Sequence, residues 1–193
     1  MSQAIFPGNA IVATGSTQGS VRFNTTHMNA GIGLGLGTGG TVASSVDTYI
    51  KESAITAPAI NVGSTFRWSL VMSKTAAGTA TTTFSVHAGT LGDITDNVVV
   101  NFTLAAQTNV ADTGWCEIMV TIGNLIAGSY NVQASLFFTH NLAATGLTNV
   151  QAQVSNSSVT RVLTPPLIFG ISCNPGASAV WTFQQTVALG LNL

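Results

Sequence analysis

The run Phe66-Arg67-Trp68-Ser69-Leu70-Val71-Met72-Ser73 decides the fold class. Its large apolar residues Phe66, Trp68, Leu70 and Met72 recur at every second position, and Arg67, Ser69 and Ser73 occupy alternate ones. Successive side chains of an extended chain point to opposite faces, so the pattern predicts a strand with one buried face. Lys74-Thr75-Ala76-Ala77-Gly78-Thr79 then reads as a hairpin turn, and the following strand, 81–87, turns Phe84 and Val86 inward.

The same period continues outward from this hairpin. It places Val98, Val100, Phe102 and Leu104 inward in 97–104, and Cys116, Ile118, Val120 and Ile122 inward in 115–122. In 130–140 it does the same for Tyr130, Val132, Ala134, Leu136 and Phe138. Runs at 150–154, 167–173 and 180–187 complete about eight strands, separated by Gly, Asn, Pro and Ser turns without a helical period between them. Parallel pairing needs long crossovers, which are missing, so the expected fold is an all-β antiparallel sandwich of the jelly-roll kind. An immunoglobulin-like sandwich fits less well, because Trp115, Cys116 and Cys173 do not follow that fold's Cys, Trp, Cys order.

Residues 1–60 read as an N-terminal arm with extra strands, and 61–193 as the sandwich. Short β-forming runs occur at 11–13 and 20–23, but Gly31-Ile32-Gly33-Leu34-Gly35-Leu36-Gly37-Thr38-Gly39-Gly40 is a low-complexity tract. Glycine this dense loses much entropy on ordering, so an extended Gly-rich arm implies a neighbouring subunit that holds it. The segment 42–53 mixes helical spacing (Val42, Val46, Tyr49, Ile50) with β-forming residues, and reads as extended arm or extra strand leading to Pro58.

Charge narrows the function. Charged residues make up 6% of the 193 residues, where an ordinary domain has about 25%. The net charge is −1, and the cations Arg22, Lys51, Arg67, Lys74 and Arg161 are scattered. Neither a phosphate backbone nor an anionic lipid surface is an expected partner. The uncharged stretch 118–160 is broken every few residues by polar ones, so it holds no run near the roughly 20 apolar residues of a spanning helix. Aromatic residues do not gather into the girdles of a membrane barrel. Residues 1–7 lack the basic and apolar regions of a secretory signal, which also leaves the sequons at Asn24, Asn101 and Asn156 without a context. Cys116 and Cys173 belong to no CxxC pattern and read as two reduced core thiols, with a single disulfide as the alternative.

The search for chemistry yields no catalytic constellation. Gly35-Leu36-Gly37-Thr38-Gly39-Gly40 matches GxGxxG, but the strand, helix and later acidic residue of a dinucleotide site are missing. His27, His87 and His140 lie in different segments, no GxSxG or HExxH occurs, and His87 and His140 read as polar residues at strand ends. Asp93 and Asp96 fall short of the six to eight oxygens that calcium takes. Asp112 reads as a turn former before Thr113-Gly114, and Glu117 has no partner carboxylate for glycoside hydrolysis. No enzyme activity, cofactor or metal is expected. Trp68, Phe84, Phe102, Tyr130 and Phe138 fall on apolar faces and belong to the core. Val71, Val99 and Phe137 are apolar on the outer faces, which indicates a second buried surface. With Gly31, Leu34 and Leu36 of the arm they form the candidate set for self-association or partner binding.

Several turn and strand signatures carry a family resemblance. Arg67-Trp68-Ser69-Leu70, Lys74-Thr75-Ala76-Ala77-Gly78-Thr79-Ala80-Thr81, Gly89-Thr90-Leu91-Gly92-Asp93, Phe102-Thr103-Leu104, Gln107-Thr108 and Ala111-Asp112-Thr113-Gly114 resemble structural proteins of tailed bacteriophages. Thr139-His140-Asn141-Leu142 and Trp181-Thr182-Phe183-Gln184 extend the similarity over roughly the last two-thirds of the chain. The resemblance implies a jelly-roll virion protein, often a homotrimer, made in the host cytoplasm and carried on the capsid or tail. A coiled-coil or repetitive shaft is missing, so a capsid decoration (cement) protein that binds the major capsid protein fits better than a fibre or collar component. A carbohydrate-binding module for host attachment is the expectation from another class. It calls for aromatic residues in loops, whereas Trp68, Trp115 and Trp181 lie in strands.

Overall fold

A computed structural model of the chain describes residues 21–23, 40–42, 45–140 and 153–191. The described residues form eleven strands: β1 (Val21–Phe23), β2 (Gly40–Val42), β3 (Thr48–Ala57), β4 (Thr65–Lys74), β5 (Thr81–Gly89), β6 (Asn97–Ala106), β7 (Asp112–Ile126), β8 (Ser129–His140), β9 (Gln153–Arg161), β10 (Leu167–Asn174) and β11 (Trp181–Leu191). They form two sheets, all of whose pairs are antiparallel. The larger runs β1-β11-β4-β7-β8-β9, with β2 also on β11, and the smaller runs β3-β10-β5-β6. The chain is therefore an all-β sandwich. No helix among the described residues is long and apolar enough to cross a membrane.

The pairing is nested. β1 and β2 pair with β11, β3 with β10, β4 with β7, and β5 with β6, while β8 and β9 widen the larger sheet beyond β7. Loops 58–64, 90–96, 127–128 and 162–166 gather at one end of the sandwich, and loops 75–80, 107–111 and 175–180 at the other. β1 and β2 are two pieces of one edge: Val21 faces Leu191 and Val42 faces Trp181 along the same strand. The Gly-rich tract between them, with Gly31, Leu34 and Leu36, lies outside the described residues, as does 11–13.

Alternation builds the core as expected for β4. Phe66, Trp68, Leu70 and Met72 are fully buried, each removing enough apolar surface to favour folding by roughly 1.5–3 kcal/mol. The rings interlock across the sheets: Phe66 stacks on Phe169 with centroids 3.9 Å apart, and Phe84 meets Trp181 edge-on at 5.8 Å. Gln107 ties β11 to the loops above it. Its Oε1 accepts the Trp181 indole N–H at 3.0 Å, and its Nε2 donates to Pro175 O and Thr82 Oγ1, each at 2.6 Å.

One open reading is decided and one place departs from the expected pattern. The segment 42–53, left between arm and strand, contains the start of β3, which places Ile50, Ile55 and Ala57 in the core. The sandwich thus includes a strand that lies before residue 61. Val99, expected on the outer face, is 1% exposed, whereas Val98, expected inside, is 36% exposed. The cause is a β-bulge: Val86 faces Val100 but His87 faces Val98, so Val99 is an extra residue on β6 that reverses the alternation.

Candidate functional site

The outer face of the larger sheet is built by the residues that alternate with the core. On β7, burial of Cys116, Ile118 and Val120 turns Trp115, Glu117 and Met119 outward. Register aligns them with neighbours in rows across the sheet. Val71 lies beside Trp115, Ser69 beside Glu117 and then Phe137, and Arg67 beside Met119. Phe137 is 45% exposed and Met119 42%, while Val71 is half-buried.

Local contacts fix this surface. The Trp115 indole donates to Ser69 Oγ at 2.7 Å, and its ring meets Phe137 edge-on at 5.6 Å. Arg67 and Glu117 pair at 2.6 Å in the midst of the apolar groups. Such a surface pair adds about 0–1 kcal/mol to stability, but it neutralises the charges this face would otherwise present. What remains is a face of uncharged Ser, Thr and Gln side chains in which Val71, Trp115, Met119 and Phe137 are the apolar members, with two rigid rings and a neutralised ion pair. Flat contact with another protein is what such chemistry supports.

Of the candidate set, Val71 and Phe137 meet here, flanking Trp115. Val99 does not, being in the core, and the three arm residues lie outside the described residues. Trp115 and Met119 were missed as surface residues, although the inward period of Cys116 and Ile118 already carries that information.

The other candidate chemistry is consumed within the fold. His87 and Ser172 come together at 2.8 Å through Nε2 and Oγ, and His87 Nδ1 lies 3.0 Å from Asp96 O. With Nδ1–H donating to that carbonyl, Nε2 accepts the Ser172 hydroxyl. This is the serine and histidine pairing the sequence did not reveal, because the partners are far apart in the chain. Both are buried, Ser172 at 0% and His87 at 1%, so the pair fastens the 90–96 loop to the sheet rather than meeting a substrate. Tyr49 packs edge-on against His87 and lies over Gly170, where any side chain would collide with its hydroxyl. Burial raises the Tyr49 pKa, with Asp96 and Asp93 adding to the effect.

Asp96 accepts the amides of Leu91 and Gly92, at 3.2 and 2.6 Å, and Asp93 accepts the Thr95 hydroxyl and amide, at 2.6 and 2.8 Å. The Thr95 hydrogen bonds hold the Asp93 carboxyl below its usual pKa. Both carboxylates thus serve the turn, and no group of three metal-ligating residues occurs among the described residues. Asp112 accepts the Thr113 amide at 2.8 Å and lies 3.0 Å from His140 Nδ1. Lys74 is caged by four carbonyls, those of Thr75, Ala77, Thr108 and Val110, at 2.7–3.2 Å. Cys116 and Cys173 are free and fully buried, and burial raises both thiol pKa values.

A cleft of about 650 Å³ opens beside the bulge, lined by Thr90, Thr95, Asn97, Val98, Val162 and Thr164 among others. None of its described lining side chains is aromatic, so it offers a sugar ring no stacking platform. Comparison with models of protein families finds no match, and neither do comparisons with curated proteins and with solved structures.

Proposed function

We propose that the chain is a non-enzymatic structural protein of a tailed-bacteriophage virion, a homotrimer that decorates the capsid and reinforces its lattice. The observation that carries the reading is the outer face of the larger sheet, where Val71, Trp115, Met119 and Phe137 surround a neutralised Arg67–Glu117 pair. That face is suited to burial against other copies of the chain. The nested strand pairing supports the jelly-roll reading, and the resemblance of the turn and strand signatures to tailed-phage structural proteins is what suggests a virion. A protein that binds only the assembled lattice stabilises it by its binding free energy, and three linked copies raise the avidity without any new contact.

Immunogold electron microscopy on particles made by the replicon that encodes the chain tests the reading. Label over the heads is expected. Label confined to tails would replace the decoration role with a fibre or collar role, and unlabelled particles would overturn a virion role altogether.

A further inference from the structure

Eleven large apolar side chains are exposed among the described residues, and six of them crowd one end of the sandwich. Val62 lies in loop 58–64, Leu91 and Ile94 in loop 90–96, Leu125 and Ile126 beside the 127–128 turn, and Val162 in loop 162–166. Their exposures run from 40% to 73%. Loop ends are ordinarily polar, so apolar tips on four separate connections signal a covered surface. The opposite end differs, with Val46 and Val110 as its exposed large apolar residues among those described. The charged side chains in these four loops are Asp93 and Asp96, and both are bonded to their own loop.

The chain itself supplies a fitting cover. β1 begins at Val21 opposite Leu191, so the point at which residues 1–20 are tethered to the sandwich is at this same end. Those twenty residues carry no Asp, Glu, Lys, Arg or His, and include Ile5-Phe6 and Ile11-Val12. At roughly 3.3–3.6 Å per residue their reach far exceeds the width of two packed sheets, which lie about 10 Å apart. Tethering at Val21 also holds the segment at an effective concentration on the order of millimolar.

We propose that residues 1–20 dock on the apolar loop end of their own sandwich and shield Val62, Leu91, Ile94, Leu125, Ile126 and Val162. The segment and the surface match in being apolar and nearly uncharged, and the tether makes the intrachain contact the favoured one. The proposal is independent of the virion role.

Cross-linking tests it. Cys116 and Cys173 are fully buried, so Ile11→Cys combined with Leu125→Cys gives two accessible thiols for a short flexible bismaleimide. Ile11→Cys with Val110→Cys, at the opposite end, is the control. The expected result is an intrachain link to residue 125 at least tenfold more abundant than that to residue 110, read by peptide mass. Equal linking to both ends, or no link, overturns the proposal. Links to residue 125 found only between chains overturn it too, because the cover then comes from a second copy. Near-ultraviolet circular dichroism of the buried Trp68 and Trp181 confirms that each variant is folded.

Discussion

Single side chains in this protein are placed by what burial demands of their polar atoms. Cys116 and Cys173 have no exposed surface, and burial disfavours the thiolate, the form that attacks thiol reagents. In the native protein a thiol reagent such as Ellman's should therefore count no reactive cysteine, and in denaturant it should count both. Rapid native labelling of either would contradict the burial of the core. Trp68 shows the same economy from the donor side. Its indole N–H ends on Ser53 O at 2.7 Å, and the Ser53 hydroxyl donates to Ile50 O while accepting from the Ile171 amide.

At the level of strands, register decides which face a residue joins. The β6 bulge makes Val99 a core residue and Val98 a surface one. Val99→Asp should lower stability by about 3 kcal/mol or more, because it buries a carboxylate without a partner. Val98→Asp should change it by less than about 1 kcal/mol. Denaturant unfolding of the two variants checks this, and equal losses would place the bulge elsewhere. These irregularities also mark where the sequence became unreadable. In β4, β7 and β8 the period of two is unbroken across the core stretch, and the inward residues are legible directly. In β3, Ile50 and Ile55 both point inward although five positions apart, a spacing that puts them on opposite faces of a regular strand. The irregular stretch between them, where the register against β10 shifts, removes the alternation that would have declared a strand. Val99 misled for the same reason. The candidate surface was legible in Val71 and Phe137, because regular strands carry both, whereas the His87 and Ser172 contact depends on pairing that no local pattern encodes.

Across the described residues, few charges remain free. Lys74, Asp96 and Asp112 are buried, and Arg67 pairs with Glu117, so the surface is poorer in available charge than the 6% of the sequence suggests. Thr, Ser, Asn and apolar groups enter an interface at less desolvation cost than ions do. In the proposed homotrimer the larger sheet's outer face is the surface that this economy would serve, and Phe137, 45% exposed beside Trp115, is its most accessible ring. Sedimentation equilibrium on the wild-type chain and on Phe137→Asp tests this most directly. The wild type should sediment at three times the 19.7 kDa chain mass and the folded variant at the mass of one chain, whereas a monomeric wild type, or a variant that remains trimeric, would contradict the assignment of this face.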